Sequence, residues 1–293
     1  MPARIEGEAL VAGARTAYAT LRVPVPWWSL TKTVIAAAVL ALARDGALVL
    51  DVPFAGRDFT PRQALWHRAG LSCYATLAAY RIAVDGGHAP WSDEEMMRRA
   101  QADVPICAPG AAFAYSNIGY TLLRQLVERR SDLPLGEALA KLVLAPLGIE
   151  GVVLLEERLK PGETMAGLRS FSHPGWVYHG LLAGPLDQAA LLLQRLRQSD
   201  FLPPALGEAM AAAIPLGDPM EGRPFQRPAY GLGLMADALA HPVLGHTGGG
   251  PDSAIAVYWS ARTGRAAAVF RSGDDAGAVE SRAFELIDED GDV

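Results

Sequence analysis

A chain of 293 residues that is 51% hydrophobic can bury a full core, which excludes disorder and leaves one large domain or two intimate subdomains. A net charge of −6 without a basic stripe argues against nucleic acid or an anionic membrane surface as partner. The longest apolar run, residues 33–43, is too short to span a bilayer, and Met1-Pro-Ala-Arg-Ile-Glu-Gly-Glu has no signal-peptide core, so a cytoplasmic protein is expected.

Residues 8–23 alternate loosely around Gly13, with Leu10, Val11, Tyr18, Leu21 and Val23 as apolar markers, and predict a strand or hairpin. Pro24 and Pro26 then impose an extended approach that sets Trp27 and Trp28 before Ser29. The two indoles serve either as core or as a pocket wall. Ser29-Leu30-Thr31-Lys32 opens a run of helix formers, apolar at nearly every position and stopped by Arg44-Asp45-Gly46, which reads as a helix buried on most of its faces.

Leu48–Pro53 reads as extended, and Thr60-Pro61 caps a helix through His67. Ser92-Asp-Glu-Glu95 resembles a capping box for a helix to about Ala102, after which prolines at 105 and 109 make a loop that delivers Tyr115-Ser116-Asn117. Amphipathic helices are predicted from Ile118 to Arg130, from Leu135 to Leu144 and from Leu186 to Gln198. Between the last two, residues 161–184 carry Phe171, His173, Trp176, Tyr178 and His179 in an ordered rim loop that either lines a site or is an ordinary packed connection. Tyr230–Leu234 reads as a strand, 254–259 and 265–270 as a hairpin, and Ala278–Ile287 as a closing helix before a solvated acidic tail at 288–292. Cys73 and Cys107 form no C-x-x-C pair and the six histidines no metal-binding spacing, so neither a metal nor another cofactor is expected.

Ser29 and Lys32 stand three positions apart, so on a helix they share a face, roughly 5–6 Å apart at Cβ, beside the free N–H groups of the first turn. A lysine whose pKa is lowered by desolvation can take the serine proton, and the free N–H groups can hold an oxyanion. By itself this spacing is also that of a capping serine and a solvated lysine. Two further stretches add to it: Tyr115-x-Asn117 and His246-Thr247-Gly248.

In this order the three motifs resemble the serine β-lactamases and penicillin-binding proteins. Tyrosine at 115 is similar to the class C β-lactamase branch with its related D-peptidases and esterases. The likeness extends over Thr33–Pro53, Tyr115–Leu123 with Pro146-Leu-Gly148, and Tyr230–Gly233 followed by His246–Gly249. It implies an α/β (α+β) β-lactamase-like fold: an antiparallel sheet flanked by N- and C-terminal helices (1–54 and 228–293) with a mostly helical subdomain at 55–227. It further implies Ser29 as nucleophile, with Lys32 and Tyr115 sharing the proton. Asn117 would orient Lys32 and a substrate amide, its alternative being a helix cap. The backbone N–H groups of Ser29 and Gly249 would form the oxyanion hole, with Gly248 allowing close approach and Thr247 facing the substrate.

Three departures stand out. Only 28 residues precede Ser29, so an N-terminal strand is expected to be missing or shortened. The family's L-x-x-H-T-S-G-L appears as Leu65-Trp-His67-Arg-Ala-Gly-Leu71, and His246 stands where β-lactamases have lysine. A histidine there, mostly neutral at pH 7, points to uncharged acyl substrates unless Arg223 or Arg227 supplies a cation; its alternative is a surface histidine. Ester, β-lactam and D-amino-acid peptide or amide remain open as small-molecule substrates, and a non-catalytic binding module that kept the fold is the reading from another class.

Overall fold

The computed structural model describes residues 5–13, 15–157, 165–166, 173–251, 253–273 and 275–289. Phe171 and the tail beyond residue 289 lie outside these. The chain opens with the hairpin β1 (Glu6–Ala12) and β2 (Arg15–Ala19), so both N-terminal strands are present despite the short lead-in to Ser29. A short β3 (Val25–Pro26) and a 3-10 turn (Trp28–Leu30) lead into α1 (Thr31–Arg44). Next come α2 (Pro61–Leu65), α3 (Ala78–Asp85), α4 (Asp93–Arg99), α5 (Asn117–Ser131) and α6 (Leu135–Leu139), the last continued by a π-helical turn at Ala140–Leu144. Strands β4 (Val153–Leu155) and β5 (Leu181–Gly184) precede α7 (Leu186–Gln198) and α8 (Pro204–Ala211). The chain closes with β6 (Ile214–Pro215), β7 (Pro228–Tyr230), β8 (Met235–Asp237), β9 (Val243–Gly249), β10 (Ser253–Ser260), β11 (Ala266–Ser272) and α9 (Ala276–Asp288).

Eight strands form one antiparallel sheet in the order β2-β1-β11-β10-β9-β8-β7-β6, and β3-β5-β4 form a second, smaller one. Both faces of the large sheet are covered. Along β10 and β11, Ile255, Val257, Ala268 and Phe270 join the core containing α1 and α7, while Ala256, Tyr258, Ala267 and Val269 meet Val279, Ala283 and Leu286 of α9. Because side chains alternate across a strand, burial on both faces makes these strands read as unbroken apolar runs. Helix α7, within the stretch read as a helical insertion, packs on β1, β10 and β11.

Helix α1 is buried from Thr31 to Leu42, as its nearly uniform apolar sequence predicts. Thr60 caps α2 reciprocally with Gln63, and Ser92 Oγ accepts the Glu95 N–H at the start of α4. Two expectations are corrected. Leu48–Pro53 forms turns, not a strand. Tyr230–Leu234 is not one strand: Tyr230 ends β7 and residues 231–234 connect it to β8, where the Gly231 N–H donates to Leu234 O (2.7 Å), and Gly233 has φ +77° and a Cβ position 2.3 Å from Ala36 Cβ. Only glycine meets both demands there. The H-T-G stretch, in turn, is itself a strand, β9, although its three glycines carry little strand propensity. None of the helices among the described residues is long and apolar enough to cross a membrane.

Candidate active site

The site forms where the start of α1 meets β9 and the start of α5. Trp27 is fully buried; its N–H donates to Leu182 O of β5 (2.8 Å), and Thr31 Oγ1 accepts the Leu182 N–H (3.1 Å). These bonds clamp both sides of Ser29. Trp28 sits at φ +45°, a region a bulky residue occupies only when held, and its Nε1 donates to Ser253 Oγ (2.9 Å). Ser29 lies in the 3-10 turn, two residues before α1 begins, rather than at the first position of α1.

Lys32 projects back along the helix to place Nζ 3.0 Å from Ser29 Oγ. It is fully buried, and burial pulls its pKa down to about 7, with a small opposing effect from Cys73. The Tyr115 and Tyr120 rings lie 5.2 and 5.7 Å from Nζ, close enough for their π-faces to hold the ammonium form. Lys32 Nζ also donates to His179 Nε2 (3.2 Å). Since Nε2 accepts, the His179 proton is on Nδ1, which is buried without a partner among the described residues. Burial, then the nearby Lys32 charge, pushes the pKa of His179 well below the ordinary range, so the ring is neutral.

Tyr115 reaches the site from the turn before α5. Burial holds its phenol above the usual value, outweighing the opposing pull of the nearby Ser29 hydroxyl. Although 37% of the residue is exposed, its hydroxyl end is enclosed by protein. The turn is pinned by Ser116, whose N–H donates to His67 Nδ1 (3.0 Å) while Oγ donates to Ser72 O (2.6 Å) and caps α5 by accepting the Gly119 N–H. His67 stacks on Tyr115 with ring centroids 4.2 Å apart. Asn117 lines the cleft beside Ser29; its Oδ1 is buried without a partner among the described residues, and the helix cap is Ser116. The expected contact of Asn117 with Lys32 is made by His179 instead.

On β9, Gly248 packs so closely that a Cβ there would lie 2.5 Å from Trp27 O and 2.9 Å from Ser29 N. The Gly250 N–H donates to Ser253 O (3.0 Å), so by antiparallel alternation the adjacent Gly249 N–H turns away from β10 and is free for an oxyanion beside the Ser29 N–H.

His246 and Thr247 depart from expectation. His246 is neither at the surface nor in the cleft: it is 1% exposed, Nδ1 donates to Thr247 O (2.7 Å), and Nε2 accepts the Tyr230 hydroxyl (3.0 Å). Burial and the Lys32 charge push its pKa down to about 3, so it is neutral. Thr247 points to the opposite face of the sheet, where its hydroxyl meets Glu280 and Tyr258. Glu280, fully buried on α9, also takes a bidentate pair from Arg223, which is therefore not available to a substrate. Sequence reading missed the roles of His179 and His67 at the site and of Glu280 behind β9. No spacing signals them, because each comes from a different element.

A family model described as Beta-lactamase matches residues 12–290. Esterase EstB of Burkholderia gladioli is 32% identical over 142 residues, covering 41% of this chain and only 36% of that protein's length. Among solved structures, a D-stereospecific amidohydrolase from Streptomyces sp. superposes with a TM-score of 0.80 at 22% identity, covering 98% of this chain and 94% of that one. The D-amino acid amidase of Ochrobactrum anthropi SV3 gives 0.79 at 20% identity, with 97% and 93% coverage. The octameric penicillin-binding protein homologue of Pyrococcus abyssi gives 0.71 at 21%, with 96% and 73% coverage. These structural likenesses establish the shared fold, and with the family match spanning nearly the whole sequence, the chain belongs to the Beta-lactamase family.

Proposed function

We propose that this protein is a serine hydrolase that cleaves small uncharged esters through an acyl-enzyme on Ser29. The observation that carries the reading is the fully buried Lys32, with Nζ 3.0 Å from Ser29 Oγ and a pKa of about 7. Near neutral pH a large fraction of Lys32 is the free amine, which can take the serine proton as Oγ attacks the ester carbon. The new C–O bond pushes the carbonyl electron pair onto oxygen, facing the N–H groups of Ser29 and Gly249. On collapse, the leaving alkoxide takes a proton that Lys32 relays through the Tyr115 hydroxyl. Water then repeats the sequence in reverse to free Ser29. Tyr115 stays a phenol throughout, because its raised pKa suits a proton relay and not a resting base. His179, neutral, accepts one Lys32 N–H and so fixes the direction of the amine.

Preference for uncharged substrates follows from the neutral His246 and from Arg223 being engaged by Glu280. A substrate carboxylate would meet no buried cation from either. Intact-mass analysis after treatment with a fluorophosphonate tests the reading: one adduct is expected on wild type and none on Ser29→Ala. Absence of an adduct on wild type would favour a binding module that kept the fold.

A further inference from the structure

The cleft next to Ser29 has a volume of about 550 Å³, and among the described residues its apolar lining includes Trp28, Tyr74, Tyr80, Trp176, Val177 and Leu181. The polar ends of these aromatic residues are already engaged. Trp28 Nε1 donates to Ser253 Oγ, the Tyr80 hydroxyl to Trp176 O (3.0 Å) and Trp176 Nε1 to His88 O (3.1 Å), while the Tyr74 hydroxyl accepts the Tyr178 N–H (3.2 Å). What these residues leave for a ligand is apolar: the half-buried Tyr80 ring beside Ala75, Val84 and Val177, and the edges of the buried rings. The rings also brace one another edge to face: Tyr80 on Trp176 at 5.4 Å and 89°, and Trp91 on Trp176 at 5.1 Å and 79°. Such a wall is rigid before a ligand arrives, so little ordering entropy is lost on binding.

The lining residues also say which half of an ester sits there. Ser29 and Gly249 border the cleft, whereas Tyr115, the residue that would hand the proton to a leaving group, does not. A leaving group has to face the proton carriers, Lys32 and Tyr115, and the group that stays on Ser29 has to lie on the other side. The cleft is therefore on the acyl side. Its charged lining residues, Arg81 and Asp85, are opposite in sign and stand one turn apart on the exposed face of α3. They offer no net charge to an ionic acyl chain.

Building on the proposed Ser29 nucleophile, we infer that this cleft is a preformed slot for an uncharged aromatic acyl group of the arylacetyl kind, so that the preferred substrates are arylalkanoate esters and not acetates.

The test compares kcat/KM for p-nitrophenyl acetate, p-nitrophenyl phenylacetate and p-nitrophenyl 4-carboxyphenylacetate on one preparation. The leaving group is the same in all three. Phenylacetate is expected to exceed acetate by roughly 10²-fold, the scale on which an apolar pocket discriminates, with the carboxylated ester at or below acetate. Val84→Trp and Ala75→Trp place an indole into the slot from half-buried positions on its wall. In each, the phenylacetate-to-acetate ratio is expected to fall at least tenfold, with fluorophosphonate labelling of Ser29 in the same sample showing that the variant is folded. A wild-type ratio near one, or a ratio that both indole variants leave intact, overturns the slot while the hydrolase reading stands. Failure to label Ser29 or to turn over any of the esters overturns both.

Discussion

Replacing Lys32 with methionine should remove activity and, at neutral pH, raise stability. Lysine has an ordinary value of 10.5 and is held at about 7 in the folded protein. Between those two values the unfolded chain carries a proton that the folded chain has given up, so wild-type stability rises with pH across that window. The cost to folding is complete below about pH 7 and vanishes above the unfolded value. Worked through the linkage relation, it is about 4 kcal/mol at pH 7 and about 2 kcal/mol at pH 9. Against this, methionine loses the hydrogen bonds to Ser29 and His179, roughly 1 kcal/mol each. Lys32→Met should thus be more stable than wild type by about 2 kcal/mol at pH 7 and about equal to it at pH 9. Urea unfolding of both proteins at pH 7, 8 and 9, with matching m-values, measures the gap. The change between pH 7 and 9 is the sharper quantity, because the hydrogen-bond loss is nearly independent of pH. A gap that stays constant, or a variant less stable than wild type at pH 7, refutes the argument that Lys32 is held as a partly neutral amine by burial.

The same lysine predicts the pH profile: kcat/KM should fall about tenfold per pH unit below about 7, as Lys32 takes up its proton. A plateau reaching down to pH 5 would exclude Lys32 as base. Tyr115→Phe keeps the ring and removes the proton relay, so kcat should drop by roughly 10²–10⁴ with the acid limb unmoved; unchanged kcat would leave Lys32 to carry the proton alone. His179→Leu should lower kcat more than it raises KM, and His179→Gln, which restores an acceptor near the Nε2 position, should recover most of the loss; equal loss in both would reduce His179 to packing. Glu280→Leu leaves Arg223, only 23% exposed, without its partner, and should cost about 3 kcal/mol in chemical denaturation. A loss under about 1 kcal/mol would show that solvent replaces the pair.

Much of this protein was legible before folding, wherever the signal was local. The uniform apolar run after Lys32 predicts the buried α1, the Thr60 and Ser92 caps predict where α2 and α4 begin, and Ser29-x-x-Lys32 with Tyr115-x-Asn117 names the proposed reactive group. These depend on periodicity and capping chemistry, which act over a few residues. Tertiary structure decided what depends on which face a side chain occupies and on how deeply it is buried. Register along β9 sends Thr247 to the α9 side and His246 into the core, although the motif alone presents both to a substrate. β5 exists as a strand because β3 and β4 pair with it from distant points in the chain, and its position brings His179 to Lys32 across 147 residues of sequence. The chain alone sets which groups can ionise. Burial, a property of the whole packed molecule, lowers the pKa of Lys32 to about 7, as the proposed base requires, and keeps His246 neutral.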